Sequence, residues 1–219
     1  EVFIQFGAML AVIWEYRARL ANVVVSARAD QGARRFLVNL AIAFMPAAVL
    51  GLLIGSHVQR LLFSPGPVAV ALVIGGIAIL WAERRPVHVK AERAEEISRI
   101  DALKIGFVQC LALWPGTSRS GATIIGGLWF GASRQAATEF SFFLGIPVLG
   151  AASGYNLFKH WNALSSDDIG VFVMGLLASF VFALLAIRLL MRYLTGHGFG
   201  VFAWYRIALG TLILAVLVT

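Results

Sequence analysis

The sequence predicts an all-α integral membrane protein with six transmembrane helices, one re-entrant helical hairpin and inverted-topology repeats. Three observations predict this class. Of the 219 residues, 60% are hydrophobic and 13% are charged, whereas an average soluble domain carries about 25% charged residues. Long apolar runs recur along the chain, and a spanning helix needs about 20 mainly apolar residues. Two further apolar runs of roughly half that length flank a polar break.

Six apolar segments are predicted to be transmembrane helices, and together they form a single membrane domain over residues 1–219. The first is short, and the chain begins at Glu1 directly in apolar sequence, so we expect it to start partway through a longer protein. The predicted segments are 2–15, 36–55, 67–83, 138–157, 169–188 and 199–218.

The region between the third and fourth segments is predicted to be a re-entrant hairpin. Residues 105–114 and 121–132 are apolar, but each run is too short to cross a bilayer, and Pro115 and Gly116 separate them. Irregular backbone at membrane depth occurs where protein or water satisfies its polar groups. The alternative is one kinked spanning helix.

The distribution of basic residues favours the hairpin. If the hairpin does not cross, the loops on one side hold 14 Arg and Lys residues and the opposite side holds 2, whereas a crossing segment gives 12 against 4. Cytoplasmic loops are enriched in Lys and Arg, so the hairpin is expected to enter from the cytoplasm. The net charge of +7 is thereby assigned to cytoplasmic loops, and nucleic acid is not an expected partner. These loops are 15–35, 83–104, 132–137 and 188–198.

Two segments of the chain share a pattern that indicates inverted repeats. Glu1 to Gly7 and Glu139 to Gly145 have the same Glu-to-Gly spacing in apolar helices, and two spanning segments follow each. Residues 1–83 would then be the remainder of a first repeat and 101–219 the second. A hairpin equivalent to 105–132 is expected upstream of Glu1, and the binding site is expected at the repeat interface.

The polar break, Pro115 to Thr123, has the residue types of an anion site. A Pro-Gly pair lets the chain turn sharply, and the N–H groups and positive dipole end of the following helix attract anions. Arg119 adds a planar fork that fits phosphate oxygens, and Gly121 permits close backbone approach. The predicted phosphate-binding residues are Gly116, Thr117, Ser118, Arg119, Ser120, Gly121 and Thr123.

Several other polar residues in apolar segments are predicted to support this turn or to be structural. Charges at membrane depth are functional by default; they are Glu1, Arg119, Glu139 and Arg206. A structural role is favoured for Arg206. The alternative for the turn is that its serines only cap a helix and that Arg119 pairs with Glu139. The supporting residues are Glu139, which would orient Arg119 or bind a divalent cation, Gln109 and Gln5, which would bond the ligand or broken helix ends, and Glu1.

Histidines and the single cysteine are not predicted to be ligands. The histidines fall in predicted loops or helix ends and are expected to be solvated, and no Cys/His cluster has zinc spacing. Cys110 is expected to be a small buried residue. The histidines are His57, His88, His160 and His197.

At the polar break the sequence resembles the undecaprenyl-diphosphate phosphatase family of bacteria, the bacitracin-resistance phosphatases. The similarity is specific over Phe107 to Ile124, continues through Ser133 to Phe142, and is looser over Glu1 to Val12 and Phe202 to Ile207. It covers essentially the whole chain. The resemblance implies a six-span fold with two re-entrant hairpins in inverted repeats.

The resemblance also implies an activity. It implies a hydrolase in the bacterial inner membrane that converts undecaprenyl diphosphate to the monophosphate and inorganic phosphate, with Mg²⁺ or Ca²⁺, at a site open to the periplasm. The product recycles the lipid carrier of peptidoglycan synthesis. The implied catalytic residues are Arg119, on the family's essential arginine, with Ser118 and Ser120 beside it.

The family pattern includes a second motif that lies before Glu1 in the alignment. It contains two glutamates four apart and a Ser/Thr-Gly-His segment, so metal-binding carboxylates are expected upstream, and the chain from Glu1 is expected to be inactive alone. Two other functions stay open. A polyprenyl-phosphate flippase would use the same anion site, and a structural subunit would need neither Arg119 nor Glu139. Assembly as a homodimer is also left open.

Overall fold

The computed structural model describes residues 2–84, 88–159 and 169–218, and most of these residues are helical. Two short 3₁₀ helices, Ala94–Glu96 and Cys110–Leu113, interrupt the α-helices. The α-helices are α1 (Val2–Glu15), α2 (Arg17–Ser26), α3 (Gln31–Leu62), α4 (Pro65–Arg84), α5 (Arg99–Gln109), α6 (Arg119–Trp129), α7 (Arg134–Lys159), α8 (Ile169–Leu194) and α9 (Gly200–Val218).

Five helices in the described part of the chain are long and apolar enough to cross a membrane: α3, α4, α7, α8 and α9. The prediction of an all-α, multi-pass membrane protein is therefore confirmed. The first predicted span is helical as α1, but its 14 residues make it shorter than a full crossing. Large apolar side chains on the outer faces of α8 and α9 are exposed, among them Phe182 and Leu189, as expected of surfaces that face lipid.

The segment 15–35, predicted to be a loop, contains the helix α2. The chain bends at Tyr16, whose φ is −100° and ψ 15°, and then resumes as a helix. The Tyr16 ring lies 5.0 Å from that of Phe143 in α7, and this packing fixes the bend. A ten-residue helix rich in arginine lacks the apolar run that would have revealed it in the sequence.

The predicted hairpin is confirmed: α5 and α6 are separate short helices whose outer ends meet. The ammonium of Lys104, near the start of α5, lies 5.2 Å from the ring centre of Phe130, just past the end of α6. The strap before α5 also bonds this end, because the Lys90 N–H donates to the Gly131 carbonyl at 2.7 Å. A kinked spanning helix would place these residues at opposite ends of the molecule, so that alternative is wrong.

The core lies where the hairpin packs between α3 and α7. Aromatic rings of these two helices meet there, and the Phe36 and Phe143 ring centres are 5.2 Å apart and nearly perpendicular. Ile105 of α5 and Leu144 of α7 are also fully buried. The hairpin is thus held at mid-depth between spanning helices. The inverted-repeat arrangement stays a prediction.

Candidate active site

The tip of the hairpin is docked on α4. Trp114 donates from its indole nitrogen to the Pro67 carbonyl at 3.2 Å. Gly116 has a φ of +92°, and a Cβ there would lie 2.6 Å from the Val68 carbonyl oxygen. Only glycine combines this backbone conformation with so close an approach. The Pro-Gly pair therefore both reverses the chain and seats the tip against a spanning helix.

Ser118 caps α6 from a strained backbone conformation. Its φ is +70° and ψ 115°, a region that non-glycine residues rarely adopt and that clusters at functional sites. Its hydroxyl accepts a hydrogen bond from the Gly121 N–H at 3.2 Å and lies 3.3 Å from the Ser120 hydroxyl oxygen. Two hydroxyls and the first N–H groups of α6 thus meet at one point, as the sequence predicted for an anion site.

Arg119 points from this turn toward α7. Its Nη1 donates to the Ser141 carbonyl at 2.7 Å, the one hydrogen bond that the guanidinium makes within the described residues. A Cβ on Gly145 would lie 2.7 Å from Nη2 and 2.8 Å from Nη1. The absence of a side chain at Gly145 therefore creates the space that the guanidinium occupies. Thr123 faces the same helix, since its hydroxyl donates to that of Ser141 at 2.7 Å.

Arg206 of α9 reaches the turn from the opposite side, and sequence reasoning had favoured a purely structural role for it. Its Nη2 donates to the carbonyls of Gly116 at 2.9 Å and Thr117 at 3.1 Å. A third carbonyl, that of Ala71, lies at 3.3 Å. None of the salt bridges between described residues includes Arg206 or Arg119. Two guanidinium groups without a carboxylate partner therefore flank one turn at membrane depth.

A cavity of about 330 Å³ opens beside the turn, within the range of about 300–1,000 Å³ that small-molecule sites occupy. Its polar end is formed by Ser118, Ser120, Gly121 and Arg206. Its other walls are mainly apolar, as a lipid with an anionic head would require. These walls comprise Ile79, Ile124, Ile125, Leu128, Leu190, Phe199, Phe202 and Tyr205.

Four of the predicted phosphate-binding residues do not line this cavity: Gly116, Thr117, Arg119 and Thr123. Gly116 and Thr117 offer their carbonyls to Arg206 instead. Arg119 and Thr123 are directed into the interface between α6 and α7. The structure therefore divides the predicted set into cavity-lining residues and residues that support the turn from behind.

Glu139 does not pair with Arg119 in this structure, contrary to the first role considered for it. Its carboxylate accepts a hydrogen bond of 2.6 Å from Arg19 of α2 and one of 3.1 Å from Gln135. Arg19 also pairs with Glu95 at 2.7 Å. Burial raises the pKa of the Glu95 carboxyl, but the hydrogen bonds from Arg19 outweigh this effect and hold its pKa below the usual value.

The two glutamines occupy different environments. Gln109 is buried, at 1% exposure, and neither polar atom of its amide has a partner in the described residues. Gln5 accepts a hydrogen bond of 3.1 Å from Ser153, so it joins α1 to α7. Cys110, expected to be buried, is half-buried. Glu1 lies outside the described residues.

The described histidines are exposed, as predicted; they are His57, His88 and His197. His160 lies outside the described residues. Over residues 2–84, 88–159 and 169–218, no group of three or more His, Cys, Asp or Glu side chains is placed to hold a metal ion. These residues alone do not fit the divalent cation that the resemblance implies.

Comparison with known proteins extends the similarity beyond the turn. A family model described as "Bacitracin resistance protein BacA" matches residues 1–212. Undecaprenyl-diphosphatase 1 of Chromobacterium violaceum is 60% identical over 214 residues, which cover 98% of this chain and 79% of that protein. Undecaprenyl-diphosphatase of Nitrosospira multiformis is 57% identical over 213 residues, 97% of this chain and 78% of the relative. Undecaprenyl-diphosphatase 2 of Rhodospirillum rubrum is 56% identical, with 98% and 78% covered. On these matches, the chain belongs to the bacitracin resistance protein BacA family.

Proposed function

We propose that this protein is an undecaprenyl-diphosphatase, which hydrolyses undecaprenyl diphosphate to undecaprenyl phosphate and inorganic phosphate. Relatives at 56–60% identity over nearly the whole chain carry that name. The observation that carries the proposal here is the cavity, whose polar end is the Ser118 to Gly121 turn and whose other walls are apolar. A polyprenyl diphosphate has the same division between an anionic head and an apolar tail.

The turn acts by binding and orienting the diphosphate. The Ser118 and Ser120 hydroxyls and the N–H groups at the start of α6 donate hydrogen bonds to phosphate oxygens. Arg119 and Arg206 place positive charge on the two sides of the turn, where screening by water is weak. Positioning and electrostatic stabilisation supply most of the catalysis in phosphoryl transfer. The described residues thus form the part of the site that grips the phosphoryl oxygens.

The net reaction consumes one water molecule. An oxygen forms a new bond to the terminal phosphorus, and the bond from that phosphorus to the bridging oxygen breaks. The bridging oxygen leaves with the electron pair as part of the lipid monophosphate, and the protons of water are shared between the products and solvent. Because the described residues do not form a cation site, no step of this scheme uses a metal ion. A Mg²⁺ or Ca²⁺ requirement is proposed from the resemblance alone, with its ligands in the expected upstream motif.

The protein is proposed to lie in the bacterial inner membrane with its site open to the periplasm. The base of the hairpin lies at the end of the molecule that carries most of the basic loops, which favours a cytoplasmic position for that end. The tip reaches the first half of α4 at Pro67 and Val68, beyond the centre of that helix from the cytoplasmic end. This position favours access from the opposite side.

The test is phosphate release by protein that is expressed from its complete gene and purified in detergent. With undecaprenyl diphosphate as substrate, the proposal predicts stoichiometric formation of inorganic phosphate and undecaprenyl phosphate. A parallel assay in vesicles follows transfer of undecaprenyl phosphate between leaflets. Lipid transfer without any phosphate release would overturn the proposal in favour of the flippase, for which no structural observation speaks.

A further inference from the structure

Arg206 contacts the backbone of the hairpin tip rather than another side chain. Its Nη2 lies within hydrogen-bond distance of the carbonyls of Gly116, Thr117 and Ala71. We propose that Arg206 is a positioning residue, which holds the turn in the conformation that binds phosphate. This inference rests on the proposed function, because it takes the phosphate of the substrate as the ligand of the turn.

The strained backbone of Ser118 needs contacts that hold it. A φ of +70° for serine persists only where the surroundings over-determine it. On one side the Ser118 hydroxyl bonds the Gly121 N–H. On the other side Arg206 bonds the carbonyl of Thr117, which belongs to the peptide that ends at the Ser118 nitrogen. Arg206 is the contact that acts from outside the hairpin.

The contact with Thr117 also sets the direction of a donor. In a planar trans peptide the carbonyl and the following N–H point in opposite directions. When the Thr117 carbonyl faces Arg206, the Ser118 N–H faces away from it. Rotation of this peptide would turn the carbonyl dipole toward the bound anion. Arg206 therefore favours the orientation in which the turn presents donors.

Gly75 in α4 leaves the space that this guanidinium needs. A Cβ on Gly75 would contact Nη2 of Arg206 and lie 3.1 Å from its Cζ. The neighbouring Gly76 has a different role, because its Cβ would lie 2.7 Å from the Ala203 carbonyl oxygen and would separate α4 from α9. Gly75 thus serves the side chain, whereas Gly76 serves helix packing.

The charge of Arg206 has no compensation in the described part of the chain. No described carboxylate pairs with it, and its buried Nε has no hydrogen-bond partner there. A charge at membrane depth is expensive and is retained where it has a function. If the only role were to join α4 to α9, apolar packing would suffice. The contact with the turn accounts for a guanidinium at this position.

Three variants test the inference. Arg206→Met removes both donors and charge, Arg206→Lys restores an ammonium of similar reach, and Gly75→Ala displaces the guanidinium while keeping its charge. Gly66→Ala is the matched control, since Gly66 lies on the same helix with nothing within 4 Å of its Cβ position. The readouts are kcat and KM for undecaprenyl diphosphate, thermal unfolding, and amide hydrogen exchange across residues 114–121.

Displacement of a positioned group by about 1 Å can lower turnover about 100-fold, and we expect losses of that order for Arg206→Met and Gly75→Ala. Arg206→Lys should recover about tenfold of the loss, and Gly66→Ala should match the wild type. Exchange at the turn should be faster in the two impaired variants and unchanged in Gly66→Ala. Equal turnover of Gly75→Ala and Gly66→Ala would overturn the inference, because charge alone would then suffice.

Hydrogen exchange separates this inference from the proposed function. A wild-type protein that releases no phosphate would refute the activity, yet faster exchange at the turn in Arg206→Met would still support positioning. Conversely, unchanged exchange at residues 114–121 in both impaired variants would overturn the positioning role even if hydrolysis by the wild type were normal.

Discussion

The Nη1 atom of Arg119 donates a 2.7 Å hydrogen bond to the backbone carbonyl of Ser141. This bond joins the phosphate-binding turn to α7, and it directs the guanidinium away from the cavity that Ser118 and Ser120 line. The positive charge of Arg119 is therefore held behind the turn by the backbone of a spanning helix. A fixed charge in this position needs no reorganisation when the phosphoryl group is transferred.

Gly145→Ala is expected to lower turnover without lowering stability. The new Cβ would meet the Arg119 guanidinium, which is the flexible end of a side chain, so the arginine moves while α7 keeps its place. We expect kcat to fall about 100-fold and the midpoint of thermal unfolding to stay or rise, because alanine favours a helix interior over glycine by up to about 1 kcal/mol.

The control for this variant is Gly154→Ala on the same helix, where nothing lies within 4 Å of the added Cβ. It should hydrolyse undecaprenyl diphosphate at the wild-type rate. If Gly145→Ala is as active as Gly154→Ala, the placement of Arg119 by α7 has no role in catalysis.

Ser118→Gly and Ser118→Ala separate backbone strain from the hydroxyl. Both variants lose the cap on the Gly121 N–H and a donor to phosphate, so both should lose turnover. Glycine accepts a φ of +70° without the steric cost that alanine meets, about 1–2 kcal/mol. Ser118→Gly should therefore unfold at higher denaturant concentration than Ser118→Ala. The reverse order would show that Ser118 is not strained.

The ion pair between Arg19 and Glu95 predicts a pH-dependent contribution to stability. Hydrogen bonds from Arg19 outweigh the effect of burial and lower the pKa of Glu95 from its ordinary value of 4.5. Folding of a group with a depressed pKa is favoured above the unfolded value, and this contribution disappears as pH falls through the folded value. The wild type should be more stable than Glu95→Gln above about pH 4.5, and the difference should vanish in stronger acid.

Thermal unfolding of both proteins between pH 3 and pH 8 measures this difference. Glu92→Gln is the control, because Glu92 is exposed and its side chain forms no ion pair among the described residues. A constant difference between the wild type and Glu95→Gln across the whole range would contradict the assignment.

The spans, the hairpin and its Ser-Arg-Ser turn could be predicted from the sequence because their signals are local. Apolar length identifies a span, and two short apolar runs around Pro115 and Gly116 identify a broken helix. The helix α2 was missed for the same reason, since its arginines and short length leave no apolar run. Tertiary packing, not local sequence, determines the bend at Tyr16.

The partners of the charged residues could not be predicted because they lie far apart in the chain. Arg206 is 90 residues from the Gly116 carbonyl that it bonds, and Glu139 is 120 residues from Arg19. Pairing of Arg119 with Glu139 was the nearer choice in sequence. The structure instead gives Glu139 a partner on α2 and gives Arg119 a backbone carbonyl, because the side of α6 that faces α7 depends on how the hairpin packs.

The most direct test of the central claim is the turnover of undecaprenyl diphosphate by Arg119→Ala, with Arg192→Ala, an exposed arginine near the end of α8, as the control. Removal of one group that stabilises transition-state charge lowers kcat about 100- to 1,000-fold, and we predict a loss in this range for Arg119→Ala in folded protein, with normal turnover for Arg192→Ala. Near-normal phosphate release by Arg119→Ala would contradict the assignment of the Ser-Arg-Ser turn as the phosphate-binding part of the active site.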